Sequence, residues 1–426
     1  MRARRLIATA VVGALALGCG DSTSPVASPT TPSIVTAQPS GTARPSGEGP
    51  SASPSASSAQ VTPRPSPSPA TGWTALSWRK PARLPAGAFP VDVLLWRGAY
   101  VALGTVGTRA AAWTSTDFAT WTTASVDGLP LGDARIGLPA AAPGGRVSLG
   151  VHGREHCTTG EGSTCDPVPV AVWMSADGRS WHGRAAPAAF AGATVAAVAA
   201  GPGGIVAVGD TGWDHPAIWF SADGAAWSRE SLPAALFRHA VFHGLTLFRG
   251  RWVLTGATDP RKPTCCGGNS AKGLNAAAWF SADGRSWSRA GVESAADLWI
   301  DAPVAGSAGL VAWRPSDDYD SNWLSSDGRS WRPGPSGAEA YPVAGDGERV
   351  IGYSQGDGGG LELWVSADGS SWQALADAGD ANAKPSWDGV RHGAANTYFL
   401  LPTGLAVIGS DDSGSPLWLA TPTGAQ

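Results

Sequence analysis

Glycine punctuates this chain at regular intervals. Seven times a Gly turn opens a short apolar strand with period-2 alternation: Gly98 to Gly104, Gly144 to Gly150, Gly203 to Gly209, Gly250 to Gly256, Gly309 to Trp313, Gly347 to Gly352 and Gly404 to Gly409. Runs such as Ile205-Val206-Ala207-Val208 read as strands. A second pattern, W-x-S-x-D-G-x-x-W, alternates with the first. It places Trp173, Asp177, Gly178 and Trp181 in one copy and Trp219, Asp223, Gly224 and Trp227 in the next. Further copies hold Trp279, Asp283, Gly284 and Trp287; Trp323, Asp327, Gly328 and Trp331; and Trp364, Asp368, Gly369 and Trp372. A degenerate first copy has Trp113, Asp117 and Trp121, with Phe118 where Gly is expected. Self-similarity at a fixed period marks a repeat architecture.

The spacing carries its own physical logic. Asp-Gly between two strands is a hairpin signal, because Gly accepts positive φ. The Ser and Asp side chains can hydrogen-bond turn amides. The Trp rings then pack between sheets, each burying 150–250 Å², which is worth at most about 4–6 kcal/mol. A plain two-residue hairpin would send the two Trp of a copy to opposite faces, and a bulged turn would put them on one. The sequence leaves both arrangements open.

Seven Gly-strands against six Trp repeats is an informative mismatch. The chain ends on Pro416-Leu417-Trp418-Leu419, half of a Trp repeat, and Leu76-Ser77-Trp78-Arg79 near the start matches its missing half. The N-terminal segment is therefore expected to supply the outer strand of the last unit, closing a ring without free sheet edges. Residues 73–426 divide into seven units of about 51 residues, against roughly 40–50 for propeller repeats. The prediction is an all-β chain, a seven-bladed β-propeller with the seventh blade shared between the termini.

Composition agrees and narrows the function. Charged residues make up only 15 % of the 426, which excludes helical bundles and coiled coils. The net charge of −4 leaves no basic footprint for nucleic acid. Of the 21 Trp, 14 belong to the repeat system, so the Trp excess is mostly structural.

Upstream of the ring the chain changes character. Arg2, Arg4 and Arg5 precede an apolar run from Leu6 to Leu17, too short to span a bilayer. The run ends on Leu15-Ala16-Leu17-Gly18-Cys19, which resembles a bacterial lipobox, although Ala16 stands three residues before the Cys where Leu is usual. The resemblance implies that residues 1–18 are a lipoprotein signal peptide and that Cys19 is lipidated, anchoring the chain outside the cytoplasm. Residues 19–72 are rich in Ser, Pro and Thr and read as a disordered tether.

The Trp repeat resembles the Asp box, or bacterial neuraminidase repeat, of sialidases, sortilin-like receptors and photosystem assembly propellers. The usual pattern is S-x-D-x-G-x-T-W, and here Gly follows Asp one residue earlier. The resemblance covers roughly residues 73–420 and implies fold. It also implies that the repeated Asp residues are structural and lie away from the ligand face.

Candidate chemistry belongs on the opposite face, in the middle loops of the blades. Blade 2 carries the long segment His152 to Pro169, with His156, Cys157 and Cys165. A loop disulfide between Cys157 and Cys165 is the first expectation in an exported protein, and a zinc site the second. Blade 4 carries adjacent Cys265 and Cys266, which could pair with each other or elsewhere. Acids gather at Asp210 and Asp214, at Asp317, Asp318 and Asp320, at Asp357, and at Asp411 and Asp412. They suit solvated turns, and Ca²⁺ is a weaker reading because no loop has EF-hand spacing. Trp213 and Tyr319 beside them could form a sugar- or peptide-binding platform. No metal site and no cofactor are predicted.

The expectation is a monomeric, membrane-tethered lipoprotein whose propeller is a non-catalytic binding or scaffold module for protein or glycan. One alternative is a glycoside hydrolase of sialidase-like type. That reading needs three Arg, a Tyr nucleophile with a Glu partner and an Asp acid/base. The F/Y-R-I-P start of sialidases is absent, with Ala82-Arg83-Leu84-Pro85 only a partial echo. A second alternative is an assembly factor resembling the photosystem propellers.

Overall fold

The computed structural model describes residues 73–79, 81–153, 156–157, 165–212, 215–258, 273–293, 296–314, 321–335, 340–356, 360–378, 383–385, 397–409 and 415–423, with backbone alone at 156–157 and 165–166. Seven small antiparallel sheets follow one another along the chain. In blade 1 the four strands are Ala88–Trp96, Ala99–Val106, Arg109–Ser115 and Thr122–Thr123, in that spatial order. Blades 2 to 6 repeat the order. The first strand of each blade touches the first strand of its neighbours at most of the junctions, so these strands form the inner wall of the ring. The arrangement is a seven-bladed β-propeller.

Ring closure occurs as the half-repeats predict. Blade 7 contains Tyr398–Leu401, Gly404–Ile408 and Leu417–Thr423, and its outer strand is Ala75–Trp78, from the other end of the ring. Ala75 lies opposite Thr423 and Trp78 opposite Ala420. The amides of Arg79 and Ala82 continue the seam by donating to Leu419 O and Leu417 O.

Seven hydrophobic clusters fill the seven gaps between blades. The gap between blades 1 and 2 holds Val101, Leu103 and Ala112 from one side and Ile136, Trp173 and Trp181 from the other. Both Trp of one repeat copy lie in the same cluster here, and likewise Trp219 with Trp227 and Trp279 with Trp287. Blades 1 to 5 thus turn their Trp pairs toward the preceding blade, which decides the question of faces that the spacing left open. At the shared blade, Trp78 and Trp418 do the same although they come from opposite ends of the ring.

The Asp-Gly turns show why those residues occupy those positions. Ser175 Oγ accepts the Gly178 amide at 2.8 Å, while Asp177 Oδ1 accepts those of Arg179 and Ser180 at 2.8 and 2.9 Å. The other five copies repeat the pattern, including the degenerate one, where Ser115 Oγ takes the Phe118 amide at 2.9 Å. The turn Gly meets two constraints together. At Gly328, φ is +73°, and an added Cβ would come within 2.6 Å of Val253 in the preceding blade. Backbone donors from Thr120 and Ala119 hold the Asp117 carboxyl down to about 2.

Three interblade links add a fifth strand, each running parallel to the outer strand of the blade ahead. Ser125–Asp127 pairs in blade 2, Gly291–Val292 in blade 5 and Ala376–Ala378 in blade 7. The link from blade 3 to blade 4 instead carries a four-residue helix, Ala234–Phe237.

Candidate functional site

Antiparallel connectivity sorts the loops onto two faces. First-to-second strand hairpins and the Asp-Gly turns lie on one. Second-to-third strand loops and interblade links lie on the other. On this second face the repeat breaks down in blades 5 and 6.

The break is visible column by column in the second strands. Opposite the residue that precedes the first Trp of each repeat, blades 1, 2, 3, 4 and 7 carry Leu103, Leu149, Val208, Thr255 and Ile408, whereas blades 5 and 6 carry Trp313 and Tyr353. The next position is Gly104, Gly150, Gly209, Gly256 and Gly409 in the regular blades. A Cβ at Gly104, Gly150, Gly209 or Gly256 would collide with a carbonyl of the adjacent inner strand. Blades 5 and 6 have Arg314 and Ser354 instead. Gly352 sits two residues earlier than that column, so it is not the counterpart of Gly104.

These substitutions build a continuous arc of six rings across blades 4 to 7. His243 stacks on Trp299 with centroids 5.9 Å apart, and Trp299 meets Trp313 edge-on at 6.2 Å. Trp313 lies 5.1 Å from Tyr341, Tyr341 lies 5.4 Å from Tyr353, and Tyr353 stacks on Tyr398 at 5.3 Å and 15°. Tyr341 and Tyr353 are direct cross-strand partners. Trp299 takes the link position that Ala189 and Leu236 hold earlier in the ring, since the carbonyls of all three accept an indole N–H from the blade that follows.

A buried carboxylate lies within the arc. Asp301, 2 % exposed, accepts the Tyr341 hydroxyl at 2.9 Å on Oδ2 and the Ala302 amide at 2.8 Å on Oδ1. Its backbone is fixed from blade 4, where the buried Thr255 hydroxyl donates to Asp301 O at 2.9 Å. Desolvation raises the Asp301 carboxyl to about 6, against the lowering effect of its two donors. The Tyr341 phenol is pushed up by burial and then by the neighbouring Asp301 charge, and burial takes Tyr353 to about 12. His243 is pushed down to about 4 by burial, and its Nδ1 has no hydrogen-bond partner among the described residues. At neutral pH the arc is therefore uncharged except at Asp301.

Most of the sequence-predicted ligand residues are not placed. Cys19, Trp213, Asp214, Cys265, Cys266, Asp317, Asp318, Tyr319, Asp320, Asp357, Asp411 and Asp412 lie outside the described residues. Cys157 and Cys165 stand directly opposite each other in the backbone register of a two-stranded hairpin, His156–Cys157 with Cys165–Asp166. Asp210 is raised by burial and accepts the Gly212 amide at 3.1 Å. Among the described residues, no group of three or more His, Cys, Asp or Glu gathers at metal-binding distance. Sequence reasoning missed Asp301, Tyr341, Tyr353, Tyr398, Trp299, Trp313 and His243. The signal that could have found them is the pair of aromatic residues interrupting an otherwise non-aromatic column.

No family profile and no curated protein matches the chain. Solved structures similar to it include a Mycobacterium tuberculosis puromycin-hydrolyzing peptidase, at 14 % identity over 79 % of this chain and 54 % of the peptidase, with a TM-score of 0.46. The phage phi92 endosialidase matches at 9 % identity over 83 % of this chain and 70 % of its own, with a TM-score of 0.39. Trypanosoma rangeli sialidase matches at 13 % identity over 82 % and 55 %, with a TM-score of 0.35. The chain spans about half the length of the peptidase and of the trypanosomal sialidase. At these identities and TM-scores the likeness fixes neither a substrate nor a residue's role, and the fold assignment rests on the ring of seven sheets.

Proposed function

We propose that this chain is an exported lipoprotein, acylated at Cys19 and held off the membrane by residues 19–72, whose propeller is a non-catalytic glycan-binding module of the Asp-box type. The observation that carries the binding reading is the six-ring arc in blades 4 to 7. It is built around blades 5 and 6, where the structural repeat is abandoned, and its half-buried rings, Trp313, Tyr341 and Tyr353, lie between the buried Trp299 and Tyr398. Aromatic faces with polar edges suit saccharides, whose rings present C–H surfaces with hydroxyls at the rim.

The ionisation pattern favours binding over hydrolysis of the sialidase type. A phenolic nucleophile needs a lowered pKa or a free base beside it. Tyr341 has the opposite: burial and the Asp301 charge both hold its proton on. Asp301 accepts that hydroxyl and so fixes the ring's position.

The test is titration of the full chain with a panel of defined neutral oligosaccharides, read by intrinsic Trp fluorescence. Trp313→Leu and Tyr353→Leu restore the aliphatic residue of blades 1 and 2 while removing a ring. At least a tenfold loss of affinity in both is expected. Unchanged affinity in both, or release of reducing sugar by the unaltered protein, would overturn the reading. The anchor is tested separately by radiolabelled-lipid incorporation, which Cys19→Ala should abolish.

A further inference from the structure

A second site lies at the junction of blades 3 and 4, away from the aromatic arc. Here the interblade link forms no fifth strand, and its short helix Ala234–Phe237 leaves a cavity of about 510 Å³. That volume is within the range of small-ligand sites, roughly 300–1,000 Å³. Its walls bring together His215, Arg229, Arg238 and His239 against one acid among the described residues, Glu230, with Leu232 and the buried Phe237 at its base.

Several of these groups are positioned by their neighbours. Arg229 Nη2 donates to Thr211 Oγ1 at 3.0 Å, which sets one arm of the guanidinium. The His215 backbone is fixed on both sides: its carbonyl accepts the Thr211 amide at 3.0 Å, and its amide donates to Gly212 O at 3.1 Å. Glu230 accepts the Ser228 hydroxyl at 2.8 Å.

His239 is placed at the rim by its backbone. It has φ +55°, directly before the inner strand that begins at Ala240. Gly87 and Asp133 hold the same left-handed position at the entries to blades 1 and 2.

We infer that this cavity is a binding site for an oxyanion, the carboxylate or phosphate of a ligand. Guanidinium groups present paired N–H donors that match carboxylate and phosphate oxygens. The site is independent of the arc: neither its residues nor its ligand chemistry overlaps with the neutral-glycan reading.

Calorimetric titration of the full chain with inorganic phosphate, glucuronate and glucose tests it. Binding of phosphate or glucuronate is expected, with glucose silent; the stronger of the two anions identifies the ligand's charged group. Arg229→Gln/Arg238→Gln together should weaken anion binding at least tenfold, while Arg229→Lys/Arg238→Lys retains part of it. Both arginines are exposed, so the variants should keep the parent Tm. Trp313→Leu should leave anion affinity unchanged, which separates a failure here from a failure of the arc. Equal binding of glucose, no binding of either anion, or undiminished affinity in the double Gln variant would overturn the inference.

Discussion

Removing the Phe118 side chain should reveal why one turn in six departs from the repeat. Phe118 occupies the turn position of Gly178, Gly224, Gly284, Gly328 and Gly369, with φ +64° and 3 % exposure. Each of those glycines abuts a valine of the preceding blade: Val101, Val147, Val206, Val253 and Val311. Those valines lie opposite the residue that follows the first Trp of their own blade, and in blade 7 the same position, opposite Leu419, holds Ala406. Phe118 and Ala406 share the cluster that seals blade 7 to blade 1, where Phe118 also meets Tyr100 at 5.0 Å. A small residue on one blade thus makes room for a large one on the next. Deleting a buried Phe costs about 3–5 kcal/mol, of which relief of the left-handed strain returns about 1. Phe118→Gly should therefore destabilise by about 2–4 kcal/mol. Ala406→Val alone should overpack the seam and cost about 1–3 kcal/mol. Together they reproduce the Gly–Val pairing of the other junctions, so the double variant should be more stable than Phe118→Gly by about 1–2 kcal/mol. Urea unfolding of the full chain, followed by Trp fluorescence and far-UV circular dichroism, measures the cycle. Additivity of the two single effects to within about 0.5 kcal/mol would refute the complementarity.

Other perturbations follow from the same geometry. Gly328→Ala adds strain at φ +73° and a 2.6 Å approach to Val253, so a loss of about 2–4 kcal/mol is expected, partly recovered by Val253→Ala, as the same unfolding measurement will show. Trp78→Ala removes the ring that bridges the two termini in the blade 6–7 cluster and should cost about 3–5 kcal/mol, with limited proteolysis reporting release of the N-terminal strand. Asp117 has a folded pKa of about 2, below its unfolded value, so its contribution is present above about pH 4 and disappears as pH falls toward 2; Asp117→Asn should flatten that limb of the stability–pH curve. Asp301 has the opposite sign: with a folded pKa of about 6, its own contribution falls by on the order of 3 kcal/mol as pH rises from about 4 to 6. His243, held down to about 4, contributes a gain over the same window, so the Asp301 part is read as the difference in Tm between the parent and Asp301→Asn across that range.

The ring was legible in the sequence because each of its constraints is local. Ser175, Asp177 and Gly178 act within one turn, and their spacing survives in every copy with only Phe118 exchanged. Closure was legible because Trp78 and Trp418 are halves of a pattern seen whole elsewhere. The arc was hidden for the opposite reason. Tyr341 and Tyr398 come from inner strands of different blades, and Trp313 reaches Tyr341 only across an interblade gap. Nothing in the spacing of Asp301 announces that burial will raise it, since its donors are its own neighbour's amide and a phenol 40 residues away. The acids that the sequence brought forward were chosen for their clustering along the chain, whereas the buried carboxylate stands alone in it.

A ring of equivalent blades can acquire a specific site only by making some blades unlike the rest, and the fold limits where this is tolerated. On the Asp-Gly face every turn is clamped against the blade behind it, so a change there needs a compensating change across the gap, as at Phe118 and Ala406. On the opposite face the limiting contact is the Gly104 column, where a Cβ would strike the inner strand. Blades 5 and 6 accommodate Arg314 and Ser354 because their inner strands are placed differently. In blade 6 the register shift lies between Pro342 and Ala344, opposite Ile351 and Gly352, so the strand carries Tyr341 squarely opposite Tyr353 beyond it. In blade 1 the shift between Pro90 and Asp92 falls beside Gly104 itself. Moving the bulge therefore removes the need for Gly and admits rings in one step. It follows that Ser354→Gly should restore a regular column without moving Tyr341, and the Tyr341–Asp301 hydrogen bond should survive it. If Asp301→Asn no longer alters the pH 4–6 dependence of Tm in a Ser354→Gly background, the column, rather than the bulge, holds the arc in place.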